Sequence, residues 1–377
     1  MKITINLTHR CNLACRYCYA GQTYNKDMTF TTARKVVDFA MRITPPGQRI
    51  DFGFFGGEPL LCFDLMKEIT GYLRKKEREV EKPVRLSLTT NGTILTQSIL
   101  DFLKQEKVDL CLSLDGPQHV HDLNRPYRTG SGSFAEVVRN LQKALEQLDS
   151  VQVNAVYGPD TLDFLPDSVS FFIKLGVCAI HLNANISAAW PVDIYSRLQE
   201  NYRKIGNLYV QSYQHGHEIA LNFIDSKIIL LLKGGYTFGD RCGIGETQWA
   251  FAPSGNIYPC ERFVGEDRDS SLCLGNIYTG LDLARRCALL QQKGNRNEAC
   301  QTCGLQPYCM NWCGCTNYYM TGRTNLAGPM LCAMEKAAIE AAQLVLTTLT
   351  DLDNKLFMEH FMQYFHEVIK VKNPILK

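Results

Sequence analysis

Three cysteines fall within eight residues, Cys11, Cys15 and Cys18, directly after the first strand-like segment, Ile3–Leu7. Ten more of the sixteen lie between Cys242 and Cys332, and only Cys62, Cys111 and Cys178 are scattered. The chain opens Met-Lys-Ile-Thr-Ile-Asn, too short and too soon polar for a signal peptide. No apolar run approaches the roughly 20 residues of a membrane span. A cytoplasmic protein is therefore expected, and there such clustering favours metal over disulfides. The first set reads C-x3-C-x2-C on one tight loop. Three thiolates placed so suit three corners of a cubane iron–sulfur cluster and leave one iron open to substrate. Structural zinc takes four protein ligands, and His9 is the only fourth donor near in sequence. Disulfides would leave one of the three unpaired.

Strand-like segments alternate with helix-length ones over the first 185 or so residues. The strands are Ile3–Leu7, Ile50–Phe55, Val84–Thr89, Val108–Leu114, Val151–Val156 and Cys178–Ala184. Helices are expected near Thr31–Arg42, Leu60–Arg78, Gln97–Gln105, Ser133–Leu148 and Phe164–Leu175. This alternation implies an α/β fold of parallel strands with crossover helices, curled into a barrel or laid out as a doubly wound sheet. In either, residues at the C-terminal ends of the strands build the site. Residues 193–235 read as mainly helical, with a short strand near Ile219–Phe223. From Arg241 the periodicity fades and Cys and Gly become dense, as in a small domain that metal must hold together. A helical pattern returns from Pro329 to about Val371, where Phe357, Phe361, Phe365 and Ile369 form a stripe expected to pack on the core. The scattered Cys62, Cys111 and Cys178 are expected as small buried hydrophobes. Lys and Arg total 40 against 38 Asp and Glu, so no basic field argues for nucleic acid.

The motifs at the strand ends identify a family. Cys11-Asn-Leu-Ala-Cys15-Arg-Tyr-Cys18 after the first strand, Phe55-Gly56-Gly57-Glu58-Pro59 after the second, Thr89-Thr90-Asn91-Gly92-Thr93 after the third, and Ser113-Leu114-Asp115-Gly116-Pro117 with His121-Asp122 and Asn124-Arg125 after the fourth resemble, in that order, the radical S-adenosylmethionine (SAM) enzymes. The resemblance covers about half the chain. It implies a partial (β/α)6 TIM-like barrel and a [4Fe–4S] cluster held by Cys11, Cys15 and Cys18, with the open iron chelated by SAM. By the same resemblance Gly56, Gly57 and Glu58 would receive the methionine ammonium, and Ser113 and Asn91 would lie near the ribose and carboxylate. Tyr17 and Tyr19 would face the adenine or act as packing aromatics. Arg125 would pair with the SAM carboxylate or form a surface ion pair. The implied chemistry is reductive cleavage of SAM to a 5′-deoxyadenosyl radical that takes hydrogen from a substrate carbon.

The second cysteine set is similar to the SPASM domain appended to many radical SAM enzymes that modify peptides and proteins. Cys242-x12-Gly255-x4-Cys260, then Cys300-x2-Cys303-x5-Cys309-x3-Cys313, then Cys332 meet that spacing at all seven cysteines. Two auxiliary [4Fe–4S] clusters follow by resemblance, making three in all. Cys300, Cys303, Cys309 and Cys332 would hold one; Cys242, Cys260 and Cys313 would hold the other. Where some relatives carry a further ligand for that other cluster, this chain has Gln248. Either a substrate thiolate takes the open position, or Cys315, Cys273 or a carboxylate closes it. Cys287 has no assigned role. The domain division so implied is a radical SAM barrel with connecting helices over 1–235, a small Cys-rich iron–sulfur domain over 236–335 and a C-terminal helical extension over 336–377.

Peptide maturation is the activity this resemblance favours: an intramolecular thioether, C–C or C–O cross-link in a ribosomal peptide. Oxidation of Cys or Ser to formylglycine, as in the anaerobic sulfatase-maturing enzymes, is the alternative. In those enzymes an Asp follows the second SPASM cysteine as a base, and here Glu261 stands in its place. A non-catalytic iron–sulfur electron carrier is a third reading, disfavoured because a carrier needs neither the GGEP motif nor an open cluster. The expected partners are a precursor peptide or protein and an electron donor such as flavodoxin or ferredoxin. Cys11 comes so early that no winged-helix leader-binding domain is expected before it. Leader recognition is therefore expected to fall to a separate protein or to the barrel surface, or not to be used. Neither nucleic acid nor membrane is expected as a partner.

Overall fold

The computed structural model describes residues 1–268, 272–292, 297–362 and 364. In chain order its elements are β1 (Lys2–Asn6), α1 (Phe30–Ile43), β2 (Ile50–Phe55), α2 (Phe63–Val80), β3 (Val84–Thr90), α3 (Gln97–Gln105), β4 (Val108–Ser113), α4 (Gln118–Asn124), α5 (Phe134–Gln147), β5 (Val151–Tyr157), α6 (Leu165–Lys174), β6 (Ala179–Ala184), α7 (Tyr195–Gln214), β7 (Ala220–Leu221), α8 (Asn222–Lys233), β8 (Gln248–Phe251), β9 (Ile257–Tyr258), α9 (Leu283–Gln291), α10 (Glu298–Gln301), α11 (Gly314–Thr321), α12 (Pro329–Asp351) and α13 (Lys355–His360). The expected alternation is present, with α4 an addition to it. The chain forms two compact units. Of the described residues, those within 1–114, 121–152 and 242–292 form one, and those within 115–120, 153–241 and 297–364 form the other.

In the first unit the strands run in the order β4-β3-β2-β1-β8-β9. β1 lies parallel to β2, with Ile5 opposite Phe54, and β2 to β3 and β3 to β4 are parallel as well. Alternation along β2 sends Ile50, Phe52 and Phe54 into the core, while β1, flanked on both sides, is buried from Ile3 onward. The helices complete the layer through one apolar stripe each: Ala33, Val36, Val37 and Ala40 on α1, and Met66, Ile69 and Leu73 on α2. The Thr29 hydroxyl starts α1 by accepting from the Thr32 N–H at 3.1 Å.

The cysteine-rich segment contributes a strand to this sheet. β8 pairs in parallel with β1, with Lys2 opposite Gln248 and Ile5 opposite Phe251. Trp249 and Phe251 then meet the Phe39 ring of α1 edge-on at 5.8 and 5.5 Å. This part of the segment is thus anchored by backbone pairing and an aromatic core.

The second unit contains β5, β6 and β7, with β6 and β7 parallel, and a helical layer built on α7 and α12. Gly206 of α7 faces Ala341 and Val345 of α12, and Ala337, Ala338 and Ala342 keep that face of α12 small. α12 runs unbroken through residues 335 and 336 and ends at Asp351. Phe357 and Phe361 are buried, with Phe357 edge-on to Tyr213 at 5.6 Å. They pack on the core as expected; Phe365 and Ile369 lie outside the described residues. No helix among the described residues is long and apolar enough to cross a membrane.

Candidate active site

The loop that follows β1 carries Cys11, Cys15 and Cys18 and is braced at its base and its crown. At the base, the Thr8 hydroxyl donates to Asp27 at 2.6 Å, the Arg10 guanidinium holds the same carboxylate at 2.8 and 2.6 Å, and the Met28 N–H donates to the Leu7 carbonyl. At the crown, Ala14 and Arg16 donate backbone hydrogen bonds to the Pro126 and Asn124 carbonyls, both at 2.9 Å. The Arg128 Nε donates to the Cys11 carbonyl at 2.9 Å. Asn91 Nδ2 donates to Asn12 Oδ1 at 2.8 Å, and Asn12 in turn donates to Thr93. The loop is thereby fixed to the ends of β2 and β3 and to the α4–α5 connection.

Two glycines let β2 approach it. The Gly57 and Glu58 N–H groups donate to the Thr8 and Arg10 carbonyls at 2.8 Å. A Cβ on Gly57 would stand 2.1 Å from the Arg10 carbonyl oxygen; on Gly56, whose φ is +142°, it would stand 2.6 Å from that of Thr8. Glu58 is fully buried and closes the same corner. Its Oε1 accepts from Leu60 N–H at 3.0 Å and from the Thr90 hydroxyl at 2.8 Å, and its Oε2 accepts from Asn91 N–H at 2.7 Å. A carboxylate offers about four acceptor positions, so about one is left for a further donor. Burial raises the Glu58 carboxyl to about 6, against the pull of these hydrogen bonds and of Arg125.

Hydrogen-bond donors face the loop's sulfurs. Asn91 Nδ2 lies 3.8 Å from Cys11 Sγ and Arg125 Nη1 lies 3.9 Å from Cys15 Sγ. The Arg125 guanidinium also covers the Tyr17 ring at 5.3 Å. His121 bonds Ser133 at 3.0 Å, and Ser133 donates to the Arg125 carbonyl at 2.7 Å, so Arg125 is set from behind. Burial, aided by Arg125, depresses His121 to about 3, so that imidazole is neutral at ordinary pH. Ser113 is buried at the end of β4, and Tyr19 stacks on Phe55 with centroids 6.3 Å apart. Burial drives the Tyr19 hydroxyl well above its usual value. A cavity of about 320 Å³ opens beside the loop, walled by Arg10, Cys11, Asn12, Tyr24, Leu61 and Arg128. His9, the nearest non-cysteine donor in sequence, is buried, stacks on Tyr24 and pairs with Asp267 at 3.7 Å.

The remaining cysteines divide between the units. In the first, Cys260 is buried beside Gln248, whose Nε2 lies 3.5 Å from its sulfur and donates to Glu261 at 3.0 Å. Lys2 Nζ reaches the other Glu261 oxygen at 3.2 Å. Burial works to raise the Glu261 carboxyl, but Lys2 and Arg262 outweigh it and hold it below the ordinary range. Cys242 belongs to the same unit and Cys313 to the other. Cys313 and Cys315 lie with sulfurs 3.7 Å apart. Cys273 is buried, with its sulfur 3.3 Å from the Gly275 carbonyl, and Cys287 is exposed on α9.

In the second unit Cys300, Cys303, Cys309 and Cys332 wall one cavity of about 170 Å³ together with Glu335 and Lys336. None of the sixteen cysteines is in a disulfide. Four free thiols around one cavity form a donor set that fits a four-iron cubane, and three on a braced loop fit a cluster with one open iron. Among the described residues no three thiol, imidazole or carboxylate donors come close enough to share a single ion. One sequence expectation is corrected: Cys178 is exposed and Cys62 and Cys111 are only half-buried. Cys178 precedes β6 at the Gly176 turn, and Cys62 ends the short turn before α2 against Arg10, 3.6 Å away. Sequence reasoning also missed Asn12, Asp27, Thr90, Thr93 and Arg128. Thr90 and Thr93 adjoin Asn91 within a motif already singled out.

Residues 5–172 match the Radical SAM superfamily. An uncharacterized protein of Methanocaldococcus jannaschii is 29% identical over 73% of this chain and 88% of its own length. The radical SAM cyclopropyl synthase TigE of Paramaledivibacter caminithermalis is 22% identical over 94% of this chain and 75% of its own. A cysteine-type anaerobic sulfatase-maturating enzyme of Clostridium perfringens is 24% identical over 67% and 72%. Among solved structures, native anSMEcpe with bound AdoMet and Cp18Cys peptide superposes with a TM-score of 0.77 at 19% identity, covering 94% of this chain and 99% of that one. Streptococcus suis SuiB bound to precursor peptide SuiA gives 0.61 at 16% identity, covering 88% and 75%. These likenesses show a shared α/β fold with parallel strands, as the strand-end motifs predict.

Proposed function

We propose, from the premise that this chain is an enzyme of the radical SAM superfamily, that it matures a ribosomal peptide by forming an intramolecular cross-link at an unactivated carbon. Membership of that superfamily brings a [4Fe–4S] cluster and SAM; when bound, these supply a 5′-deoxyadenosyl radical able to take hydrogen from such a carbon. In this reading Cys11, Cys15 and Cys18 ligate that cluster. Asn91 and Arg125 direct donors at its sulfurs, Glu58 keeps one acceptor for the SAM ammonium, and Ser113, Tyr17 and Tyr19 border the nucleoside. The glycines at 56 and 57 hold the loop against β2 so that these groups keep their places.

The observation that carries the reading is the second, separate cavity walled by four free thiols. A chain that only cleaved SAM would need the N-terminal loop alone, whereas removing two hydrogens from a peptide needs a path for the second electron. Cys300, Cys303, Cys309 and Cys332 would hold one auxiliary cluster on that path, and Cys242, Cys260 and Cys313 a further one, for three in all. The division into a barrel over 1–235, a SPASM domain over 236–335 and a helical extension over 336–377 is part of the same proposal. So are a flavodoxin- or ferredoxin-type donor and a separate leader-binding protein. The precursor peptide in the SuiB structure and the peptide in the anSMEcpe structure support a polypeptide substrate.

Formylglycine formation is the second reading. It is favoured by the sulfatase-maturating relatives and by Glu261, a carboxylate kept ionised beside Cys260. Anaerobic coexpression with a small peptide encoded beside this gene separates the two. Loss of two hydrogens per event, absent from the C11A/C15A/C18A variant, with fragmentation showing two side chains joined and no aldehyde trapped by a hydrazine reagent, supports cross-linking. An unmodified peptide, with conversion of a Cys- or Ser-type sulfatase peptide instead, supports the second. No SAM cleavage under reduction returns the chain to an electron carrier.

A further inference from the structure

A buried ion pair lies beside the four-thiol cavity and belongs to none of the motifs that lead to it. Lys227 of α8 and Glu335 of α12 meet at 2.6 Å, with side-chain exposures of only 3% and 9%. Each also bonds the backbone, and on the two sides of one residue. Lys227 Nζ donates to the Tyr308 carbonyl at 2.9 Å, and the Met310 N–H donates to Glu335 Oε2. Between those two peptides sits Cys309.

We infer that the Lys227–Glu335 pair is a positioning device that grips both peptide flanks of Cys309 and sets its sulfur against that of Cys332 in an iron–sulfur site. This rests on the reading of the four-thiol cavity as a cluster site. Glu335 follows Cys332 by three residues on α12, so the pair joins the thiol on the helix to the thiol on the loop. The rest of the loop is wound by short turns, Cys303 N–H to the Cys300 carbonyl at 3.3 Å, Gln306 N–H to that of Cys303 at 3.0 Å and Cys309 N–H to that of Gln306 at 3.3 Å, and Tyr236 N–H beyond α8 donates to the Pro307 carbonyl at 2.8 Å, so the pair adds the tie to α12. Such turns shape a loop without tying it to a helix. A charge pair that merely joined α8 to α12 would not need both of its members on the peptides flanking a thiol. Buried charges are costly unless well bonded: beyond the ion pair, Lys227 Nζ donates to the Tyr308 carbonyl and reaches the Tyr236 hydroxyl at 3.5 Å, and Glu335 accepts from the Met310 N–H.

The test uses the anaerobically purified full chain. Lys227→Met alone strands a buried carboxylate and risks unfolding the unit, so the decisive variant is K227M/E335L, which removes both charges together. The expected double variant is folded by circular dichroism and still cleaves SAM, but it loses about four irons per chain, or retains them with a shifted reduction potential and an altered electron paramagnetic resonance signal. Lys227→Arg, which keeps charge and donors, restores the iron and the signal. A double variant with wild-type iron, potential and signal overturns the positioning role. The C300A/C303A/C309A/C332A variant tests the premise separately: it should lose about four irons. If it keeps them, the cavity is not a cluster site and the inference falls with that reading.

Discussion

The two thiol sites are held with different emphasis. The N-terminal loop is placed largely through its backbone: its carbonyls accept from the Gly57 and Glu58 amides and the Arg128 side chain, its amides donate to the α4–α5 connection, and glycines remove the side chains that would block the approach, with the Arg10–Asp27 pair bracing its base. The four-thiol cavity sits where a loop meets a helix, and side-chain charge ties the one to the other. A site at the ends of parallel strands inherits rigidity from the sheet. A site between loop and helix must be stapled. The first should therefore tolerate loss of a charge better than loss of a glycine, and the second should be most sensitive to losing one charge of its pair.

The largest effect expected is in the first site. C11A/C15A/C18A should lower SAM cleavage by at least about 100-fold, since the proposed cluster ligands are gone, while any iron at the proposed C-terminal sites should remain. Reductive cleavage assayed by chromatography, with iron analysis, checks this. The single Lys227→Met variant should lose about 3–5 kcal/mol of stability in denaturant unfolding, because it leaves Glu335 charged and buried. Gly57→Ala should cost about 3 kcal/mol, because its new Cβ meets the Arg10 carbonyl. It should also lower iron at the first site only.

Glu58 sharpens the contrast through pH. Its carboxyl is raised from 4.5 to about 6 by burial. The folded chain therefore holds this proton more tightly than the unfolded chain. Stability is full below about pH 4.5 and declines as pH rises through about 6, by roughly 2 kcal/mol in total. Unfolding midpoints across that window should slope in the wild type and lose this component in Glu58→Gln. The smallest effect belongs to Lys2→Ala. Lys2 is half exposed, and its pair with Glu261 is worth at most about 1 kcal/mol, so thermal unfolding should barely move.

Much of this was legible in the sequence. Each strand expected from β-branched and aromatic runs is present, and Gly57, Glu58, Asn91 and Arg125 of the successive motifs meet one loop because parallel strands deliver their C-terminal ends to one side. β8 was not legible: four residues inside a Cys- and Gly-rich stretch carry too short a pattern to be read as a strand. Nothing in the sequence showed that Gly57 also lies against the Arg10 carbonyl. Lys227 and Glu335 are 108 residues apart, and nothing in the local pattern of either helix announces that they meet. Cys178 was read from apolar neighbours, but a residue just ahead of a strand lies at the sheet's rim.

The most direct test of the central claim, that this chain takes hydrogen from a peptide side chain, is isotope transfer. A candidate precursor peptide, chosen from any short reading frame beside the gene and made with deuterated side chains, is incubated anaerobically with the reconstituted enzyme, SAM and a reductant, and the 5′-deoxyadenosine is weighed by mass spectrometry. Deuterium in the 5′-deoxyadenosine, with a matching loss from the peptide, is the predicted result. Unlabelled 5′-deoxyadenosine formed at the same rate with and without the peptide would contradict it.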